Sequence, residues 1–144
     1  MTPHRIRVVA LCVFQRDGRI LVYEGYDSVK RMRFFRPLGG GVEAGETSRA
    51  AVAREIKEEL ELEAVDFKLL GVFENIFTLD GAPKHEIVFV YDGRFADEAV
   101  YAHEALHGVE ANGEPLRASW RDLDSFDEAH RLVPEGLEKL LRTA

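Results

Sequence analysis

Three glutamates near the middle of the sequence have a spacing suited to holding a divalent cation. Glu55, Glu58 and Glu59 stand at positions i, i+3 and i+4, which puts them on one face if the segment is helical. Like charges at this spacing destabilise a helix by roughly 0.2–0.5 kcal/mol per pair unless something neutralises them. Carboxylate oxygens suit magnesium or manganese, and magnesium commonly bridges carboxylates to substrate phosphates. The predicted chemistry is metal-assisted phosphoryl or nucleotidyl transfer.

The helix that would present these glutamates is well defined. From Thr47 to about Leu60 there is no Gly or Pro, and Val52, Ala53 and Ile56 recur at helical spacing. One face would therefore enter the core while the glutamates lie on another face. A glutamate-rich helix that simply meets solvent has the same pattern, because charge runs usually face water. The three glutamates alone leave both interpretations open.

A glycine-rich segment precedes the predicted helix. Residues 37–41 read PLGGG, a sequence that cannot sit inside a helix and that has an unusually bare backbone. We predict a loop or a tight bend here. The segment before it is basic and could hold substrate phosphates or be a solvated loop. Its cations are Lys30, Arg31, Arg33 and Arg36.

Read together, these residues resemble the Nudix box. The motif consists of Gly40, five residues, Glu46, seven residues and the run REIKEELEL at 54–62. The resemblance implies a Nudix-type α/β/α sandwich with a mixed β-sheet. It also implies a pyrophosphohydrolase that uses Mg²⁺, or Mn²⁺, to cleave a phosphoanhydride bond in a nucleoside di- or triphosphate, or in a nucleoside diphosphate linked to another group. One position departs from the family pattern, because Glu61 stands where Gly is usual.

The resemblance assigns the metal and the catalysis to particular residues. The metal ligands would be Glu55, Glu58 and Glu59, with a backbone carbonyl of Gly39 or Gly40 nearby. Glu55 and Glu58 would also be catalytic. The glycines would let the backbone approach the site closely.

Further residues receive supporting roles from the same resemblance. Glu46 and Arg54 would hold the loop and the helix in position, as groups that orient metal ligands do. Glu46 could instead favour a helix N-terminus, and Arg54 could form an ordinary surface ion pair. We expect substrate binding by Arg33, Arg36 and Gly39.

Nudix enzymes often use another acidic residue outside the box, as a metal ligand or general base. We expect Glu86 in this catalytic role, with Glu104 and Glu110 as the next choices. A solvent-facing strand position is the equally weighted interpretation of Glu86. His85, His103 and His107 lack tight ligand spacing, so we interpret them as structural or exposed.

Two other functions are compatible with the same fold. A nucleotide-sensing Nudix domain without catalysis is the main alternative, although a pure binder need not keep all three glutamates. An isomerase of isoprenyl diphosphates needs a reactive cysteine. The single cysteine, Cys12, lies inside an apolar run, where we expect it to be buried.

The remaining elements follow from short-range patterns. An Asp-Gly pair at 17–18 predicts a hairpin between strands at 7–14 and 19–24. Residues 67–77 and 85–95 read as long antiparallel strands, 116–120 as a last strand, and a C-terminal helix opens near Pro134. Residues 97–115 are acidic without a sustained period, so we predict a long loop or insertion.

Composition restricts the partners and the compartment. A chain of 144 residues predicts one domain over 1–144. A net charge of -7 disfavours nucleic acid as a partner. The lack of a long apolar run disfavours a membrane. One cysteine fits a reducing cytoplasm. The expected partner is a small-molecule nucleotide, and the family resemblance allows a homodimer.

Overall fold

The computed structural model describes residues 5–143, which form nine strands and two helices around a mixed sheet. The elements are β1 (Ile6–Arg16), β2 (Arg19–Asp27), β3 (Met32–Arg36), β4 (Leu38–Gly41), α1 (Ser48–Leu60), β5 (Ala64–Leu79), β6 (Ala82–Phe95), β7 (Ala105–Val109), β8 (Pro115–Asp122), β9 (Arg131–Leu132) and α2 (Leu137–Thr143). The predicted hairpin, central helix and long strand pair are confirmed. The C-terminal helix begins three residues beyond Pro134.

Strand β1 organises the sheet. It pairs in parallel with β6 and antiparallel with β4, and β6 pairs antiparallel with β5. β1 also pairs antiparallel with β2 at the β1–β2 hairpin, and β2 lies between β3 and β8. β7 then pairs with β8, and β9 with β3 in parallel. The sheet is mixed, as predicted.

The side chains of β1 alternate between two apolar layers because successive strand residues point to opposite faces. Ala10, Cys12 and Phe14 belong to a buried cluster that includes Val52 and Ile56 of α1. The alternate residues of β1, namely Val9, Leu11 and Val13, belong to a second buried cluster. That cluster also contains Leu137 and Leu141 of α2. One helix therefore covers each face, which confirms the α/β/α sandwich. None of the helices in residues 5–143 is long and apolar enough to cross a membrane.

The prediction of a loop at residues 37–41 was wrong, because Leu38–Gly41 forms strand β4. Its backbone pairs with β1, Gly39 opposite Leu11 and Gly40 opposite Ala10. Gly39 has φ 151°, and a Cβ there would overlap the carbonyl of Ala10. Glycine is needed here because two strands approach each other closely, whereas the sequence pattern had indicated a turn. The basic segment before it is likewise partly strand, as β3.

The prediction of a long loop at residues 97–115 was also wrong. Glu98–Ala102 forms a 3-10 helix, capped by the Asp97 side chain, and Ala105–Val109 forms β7. The turn around Asn112 joins β7 to β8 as a hairpin, with Val109 opposite Pro115. Both elements have only five residues, too few for a period to be visible in the sequence.

Helix α1 has a side-chain cap at its start and a strained residue at its end. The Thr47 hydroxyl accepts a hydrogen bond from the Ala50 N–H, and the Glu61 N–H donates to the Lys57 carbonyl. Glu61 has φ 57° and ψ 32°, the left-handed conformation that glycine adopts without strain. The helix thus ends where the motif predicts, with glutamate tolerating the strain.

Replacing Glu61 by Gly should stabilise the protein. Glycine adopts the left-handed conformation without a Cβ clash, so we expect the free energy of unfolding to rise by about 0.5–1 kcal/mol. Urea denaturation measures this change. The matched control is Glu63→Gly, because Glu63 is not among the residues with positive φ, and glycine should lower stability there. Equal losses at both positions would contradict the assignment of strain to Glu61.

Candidate active site

A cavity of about 740 Å³ lies where α1 packs against β4. Glu55 and Glu59 line it from the helix, and the three glycines of β4 line it from the sheet. Further lining residues come from the residue before β1, from β1, β2 and β3, and from the β7–β8 turn, namely Arg5, Arg7, Tyr23, Arg36 and Glu110. The fold therefore brings together the predicted metal-binding glutamates Glu55 and Glu59 with Gly39, Gly40 and Arg36.

Gly40 leaves room for a carboxylate. A Cβ at this position would overlap the carboxyl group of Glu55. The glycine therefore allows Glu55 to lie directly against the backbone of β4. An acidic side chain and a backbone segment meet here as the motif predicts.

Adding a methyl group at Gly40 should disturb the site more than the fold. We expect Gly40→Ala to lower the hydrolysis rate by at least about tenfold, because the Glu55 carboxylate must move. Gly71→Ala is the matched control, since Gly71 lies on β5 outside the cavity lining and its Cβ would meet only the side chains of Leu140 at 3.3 Å and Phe73 at 3.9 Å. Steady-state rates of both variants test this. Full activity in Gly40→Ala would contradict a role for this contact.

Arg54 connects the segment before α1 to the acidic face of the helix. Its Nε and Nη2 atoms donate to the two carboxylate oxygens of Glu46, at 2.8 and 2.9 Å. Nη2 also donates to the Gly41 carbonyl at 3.0 Å. Nη1 lies 3.0 Å from Glu55 and 3.2 Å from Glu58. The Glu46 contact lowers the pKa of Glu46 and raises that of Arg54. The bidentate pair with Glu46 ties α1 to the loop before it, and the Gly41 contact ties α1 to β4.

Glu59 is a buried carboxylate with an unpaired oxygen. The residue is only 9% exposed, and its Oε1 atom has no hydrogen-bond partner among residues 5–143. Burial, followed by repulsion from Glu55, raises the pKa of Glu59 to about 8, against the opposing effect of Arg36. Glu110 and Glu58 add smaller repulsions. An uncompensated buried carboxylate costs free energy unless a cation accompanies it, so this donor set fits a hard divalent metal.

The three glutamates of the motif do not converge on one point. Glu58 is directed to solvent, with its side chain 58% exposed, and is paired with Arg54. Glu59 lies on the buried side of the helix. Within residues 5–143, no three Asp, Glu, His or Cys side chains are grouped closely enough to hold a metal.

Arg36 and Arg33 are placed differently. Arg36 lines the cavity, with Nη1 3.5 Å from the Tyr23 hydroxyl. Arg33 does not line it, and its largely exposed side chain pairs with Glu24 at 3.3 Å. Lys30 donates to the Thr78 carbonyl. Of the basic segment, Arg36 alone is among the residues lining the cavity.

Glu86 is not a solvent-facing residue, so that interpretation was wrong. It is 8% exposed and lies between two arginines, 3.6 Å from Arg7 and 4.0 Å from Arg36. Both arginines line the cavity. Glu86 therefore lies within ion-pair distance of two arginines that line the cavity.

Several lining residues were missed or ranked low from the sequence. Arg7 and Tyr23 lie on β1 and β2, far from the motif in sequence. The β1–β4 pairing brings Arg7 to the cavity, and the β2–β3 pairing places Tyr23 beside Arg36. Glu110 was a second choice, yet it lines the cavity and its charge acts on Glu59. Glu104 lies elsewhere, and His103 and His107 are exposed.

Cys12 offers no support for isomerase chemistry. Its side chain is fully buried in the cluster under α1. Burial, reinforced by Asp92, raises the pKa of the Cys12 thiol well above its usual value, so the nucleophilic thiolate is disfavoured. Cys12 is not among the residues lining the cavity.

The mixed sheet between two helices, with β4 lying against an acidic helix face, defines an α/β sandwich. A family model described as the NUDIX domain matches residues 3–143, and the chain belongs to this family. The Nudix resemblance predicted from the sequence is confirmed.

Individual relatives agree with this membership. The chain is 35% identical over 95 residues to the NAD-capped RNA hydrolase NudC of Mycobacterium tuberculosis, covering 60% of this chain and 30% of that protein. The chain thus spans about 30% of the length of the curated relatives it matches. A MutT NUDIX hydrolase from Burkholderia pseudomallei has a TM-score of 0.67 at 26% identity, covering 98% of this chain and 100% of that chain. A NUDIX hydrolase from Nitrosomonas europaea has a TM-score of 0.64 at 17% identity, covering 96% and 87%, and supports the fold alone.

Proposed function

We propose that this chain, as a single domain, hydrolyses a phosphoanhydride bond in a nucleoside diphosphate derivative and requires Mg²⁺ or Mn²⁺. The observation that supports this best is the buried, unpaired Oε1 of Glu59 beside Glu55 and β4. A carboxylate in this position is compensated by a cation that also binds phosphates. Family membership supports the reaction class.

The residues divide into metal-binding and phosphate-binding groups. Glu55, Glu58, Glu59 and a carbonyl of Gly40 would hold the metal, which when bound shields phosphate oxygens and makes coordinated water more acidic. Arg36 and Arg7 line the cavity opposite the helix. Their guanidinium groups suit bidentate contacts with phosphate, and Gly39 would let a phosphate approach the backbone.

We assign Glu86 and Glu110 different roles. Glu86 pairs with Arg7 and Arg36, so we propose that it positions these phosphate-binding cations rather than acting as the base. Glu110 has no ion pair among the described residues and lines the cavity near Glu59. It is the better candidate for accepting a proton from the attacking water. Arg33, expected to bind substrate, would reach it only by leaving Glu24.

The names of the relatives suggest a class of substrate for this site. The name of NudC describes a hydrolase of NAD-capped RNA, so a dinucleotide with a central diphosphate is the first candidate substrate.

For the compartment, we propose the cytoplasm, because the single buried thiol of Cys12 fits a reducing environment. The residues assigned to this site all belong to one chain, so the reaction as proposed needs no residue from the partner subunit of a homodimer.

A second candidate is a nucleotide-sensing domain that does not hydrolyse its ligand. The contacts of Arg54 with Glu55 and Glu58 favour it, because a guanidinium then occupies the place of a metal between two predicted ligands. The unpaired Glu59 oxygen opposes it, since an arginine that replaced the metal should satisfy that oxygen also. Hydrolysis therefore remains the first proposal.

A substrate panel tests the proposal. The protein is incubated with NAD, ADP-ribose, nucleoside triphosphates, nucleotide sugars and dinucleoside polyphosphates, with magnesium present or chelated, and products are identified by mass. We expect metal-dependent release of a nucleoside monophosphate from one class. Metal-dependent binding of a nucleotide without any product would favour the sensor instead.

A further inference from the structure

The β7–β8 hairpin packs against the last turn of α1. Leu106 of β7 belongs to the buried cluster that also contains Leu60 of the helix. Side chains two residues apart on a strand share a face, so Gly108, and Glu110 just beyond the strand, follow Leu106 on the side that faces α1. Val109, which lies between them, is 50% exposed. One face of the hairpin therefore lies on the helix.

Gly108 allows the hairpin to approach the backbone of the helix directly. A Cβ at this position would overlap the carbonyl oxygen of Glu59 and would lie 2.9 Å from its carbonyl carbon. It would also lie 3.1 Å from the Cδ2 atom of Leu60. Gly108 is not among the residues with positive φ, so space, rather than backbone conformation, requires a glycine here. The obstacle is helix backbone, which cannot rotate aside as a side chain can.

Hydrogen bonds within the turn tie Glu110 to the hairpin. The Glu110 N–H donates to the Glu114 carbonyl at 2.8 Å, and the Gly113 N–H donates to the Glu110 carbonyl at 2.9 Å. The Asn112 side chain accepts from the Glu114 N–H at 2.9 Å. A displacement of β7 at Gly108 would therefore displace Glu110 as well.

The contact at Gly108 relates two acidic residues of the cavity to each other. The carbonyl that Gly108 meets belongs to Glu59, whose side chain lines the cavity from the helix. Glu110 lines the same cavity from the hairpin, two residues after Gly108, which corresponds to about 7 Å along a strand. The two carboxyl groups are close enough for their charges to interact. Their separation thus depends on how closely the hairpin approaches α1.

We propose that Gly108 is a positioning residue for the reaction, because its missing side chain lets the hairpin place Glu110 in the cavity that Glu59 lines. This inference rests on the proposed function, in which Glu110 accepts a proton from the attacking water. In that step the water oxygen bonds to phosphorus, its proton passes to the Glu110 carboxylate, and the bridging oxygen leaves with the other phosphate. Gly108 touches no reacting atom and acts through Glu110. A displacement of about 1 Å can lower a rate by about 100-fold.

Replacing Gly108 by Ala tests the proposal through kcat and KM, measured with magnesium and the substrate found in the panel. The added methyl group should push the hairpin away from α1 and lower kcat by about 10- to 100-fold. KM should stay within about twofold, because the proposed phosphate-binding residues Arg7 and Arg36 lie on other strands. Val109→Ala is the matched control, since Val109 is exposed and lies on the same strand outside the cavity lining. Equal kcat values for the two variants would contradict the proposal.

A double-mutant cycle with Glu110→Gln separates positioning from a general loss of structure. Glu110→Gln alone should lower kcat by at least about 100-fold. Adding Gly108→Ala to it should change kcat by less than about threefold, because the group that Gly108 positions is already gone. Effects that multiply in the double variant would show that Gly108 acts independently of Glu110 and would overturn the proposal.

Glu110→Asp keeps the proposal testable if Gly108→Ala does not fold. This substitution withdraws the carboxylate by one methylene group and leaves the contact at Gly108 intact. We expect kcat to fall by at least about tenfold while KM is unchanged. Full activity would show that the position of this carboxylate is unimportant, which rules the proposal out. Absence of metal-dependent hydrolysis by the unmodified protein would instead refute the proposed function, and this inference would fall with it.

Discussion

Replacing Glu58 by Gln is expected to lower the rate of hydrolysis by at least about 100-fold. The amide keeps the shape of the side chain but removes the negative charge that would hold the metal. Stability should change little, because the pair of Glu58 with Arg54 is exposed on the glutamate side and such pairs contribute little. Rates at saturating magnesium, together with urea denaturation, measure both effects.

The control for Glu58→Gln is the same substitution three residues further along. Glu61 is exposed and lies at the end of α1, away from the cavity lining. Glu61→Gln should keep its hydrolysis rate within about twofold of the original protein. A rate in Glu58→Gln equal to that of Glu61→Gln would show that the predicted ligand plays no part in the reaction.

Replacing Glu59 by Gln should make the protein more stable and less active. The carboxylate is buried, lacks a partner for Oε1 and is repelled by Glu55. Removing its charge at nearly constant volume should raise the free energy of unfolding at pH 8 by roughly 1 kcal/mol, or about 3 °C in the midpoint of thermal unfolding. Hydrolysis should fall by at least about 100-fold. Functional residues that lower stability, as this buried charge does, are common in enzymes.

The pH dependence of stability separates this effect from a general change in packing. The pKa of Glu59 is raised from 4.5 to about 8 in the folded protein. Between these values the folded state binds more protons than the unfolded state. Its free energy of unfolding therefore falls as pH rises through this window. Glu59→Gln should lack this decline in metal-free buffer. Identical pH profiles for the two proteins would contradict the burial of an ionisable, unpaired Glu59.

The sequence was sufficient for the parts of the fold that depend on long periodic segments. Helix α1, the hairpin at Asp17 and the β5–β6 pair follow from spacing and turn chemistry alone. The motif also named Glu46 and Arg54, and the structure joins them by a bidentate contact. Their supporting role at the site stays a prediction. These features are local, so each is specified by residues close together in the chain.

The features missed are those that depend on pairing between distant strands. Leu38–Gly41 has the composition of a loop and becomes a strand only because β1 accepts it as a neighbour. Arg7 joins the site through the same pairing, and Glu110 through the hairpin of β7 with β8. Glu86 is buried and lies beside Arg7 and Arg36, which belong to two other strands. Residue spacing contains no information about such neighbours.

The most direct test of the proposed reaction uses isotopically labelled water. Hydrolysis of the substrate found in the panel is carried out in H₂¹⁸O with magnesium, and the masses of both products are measured. The proposal predicts one ¹⁸O atom in one phosphate-containing product, and no product when magnesium is chelated. Products without ¹⁸O, or labelling that persists in the chelator, would contradict metal-dependent attack of water on a phosphoanhydride.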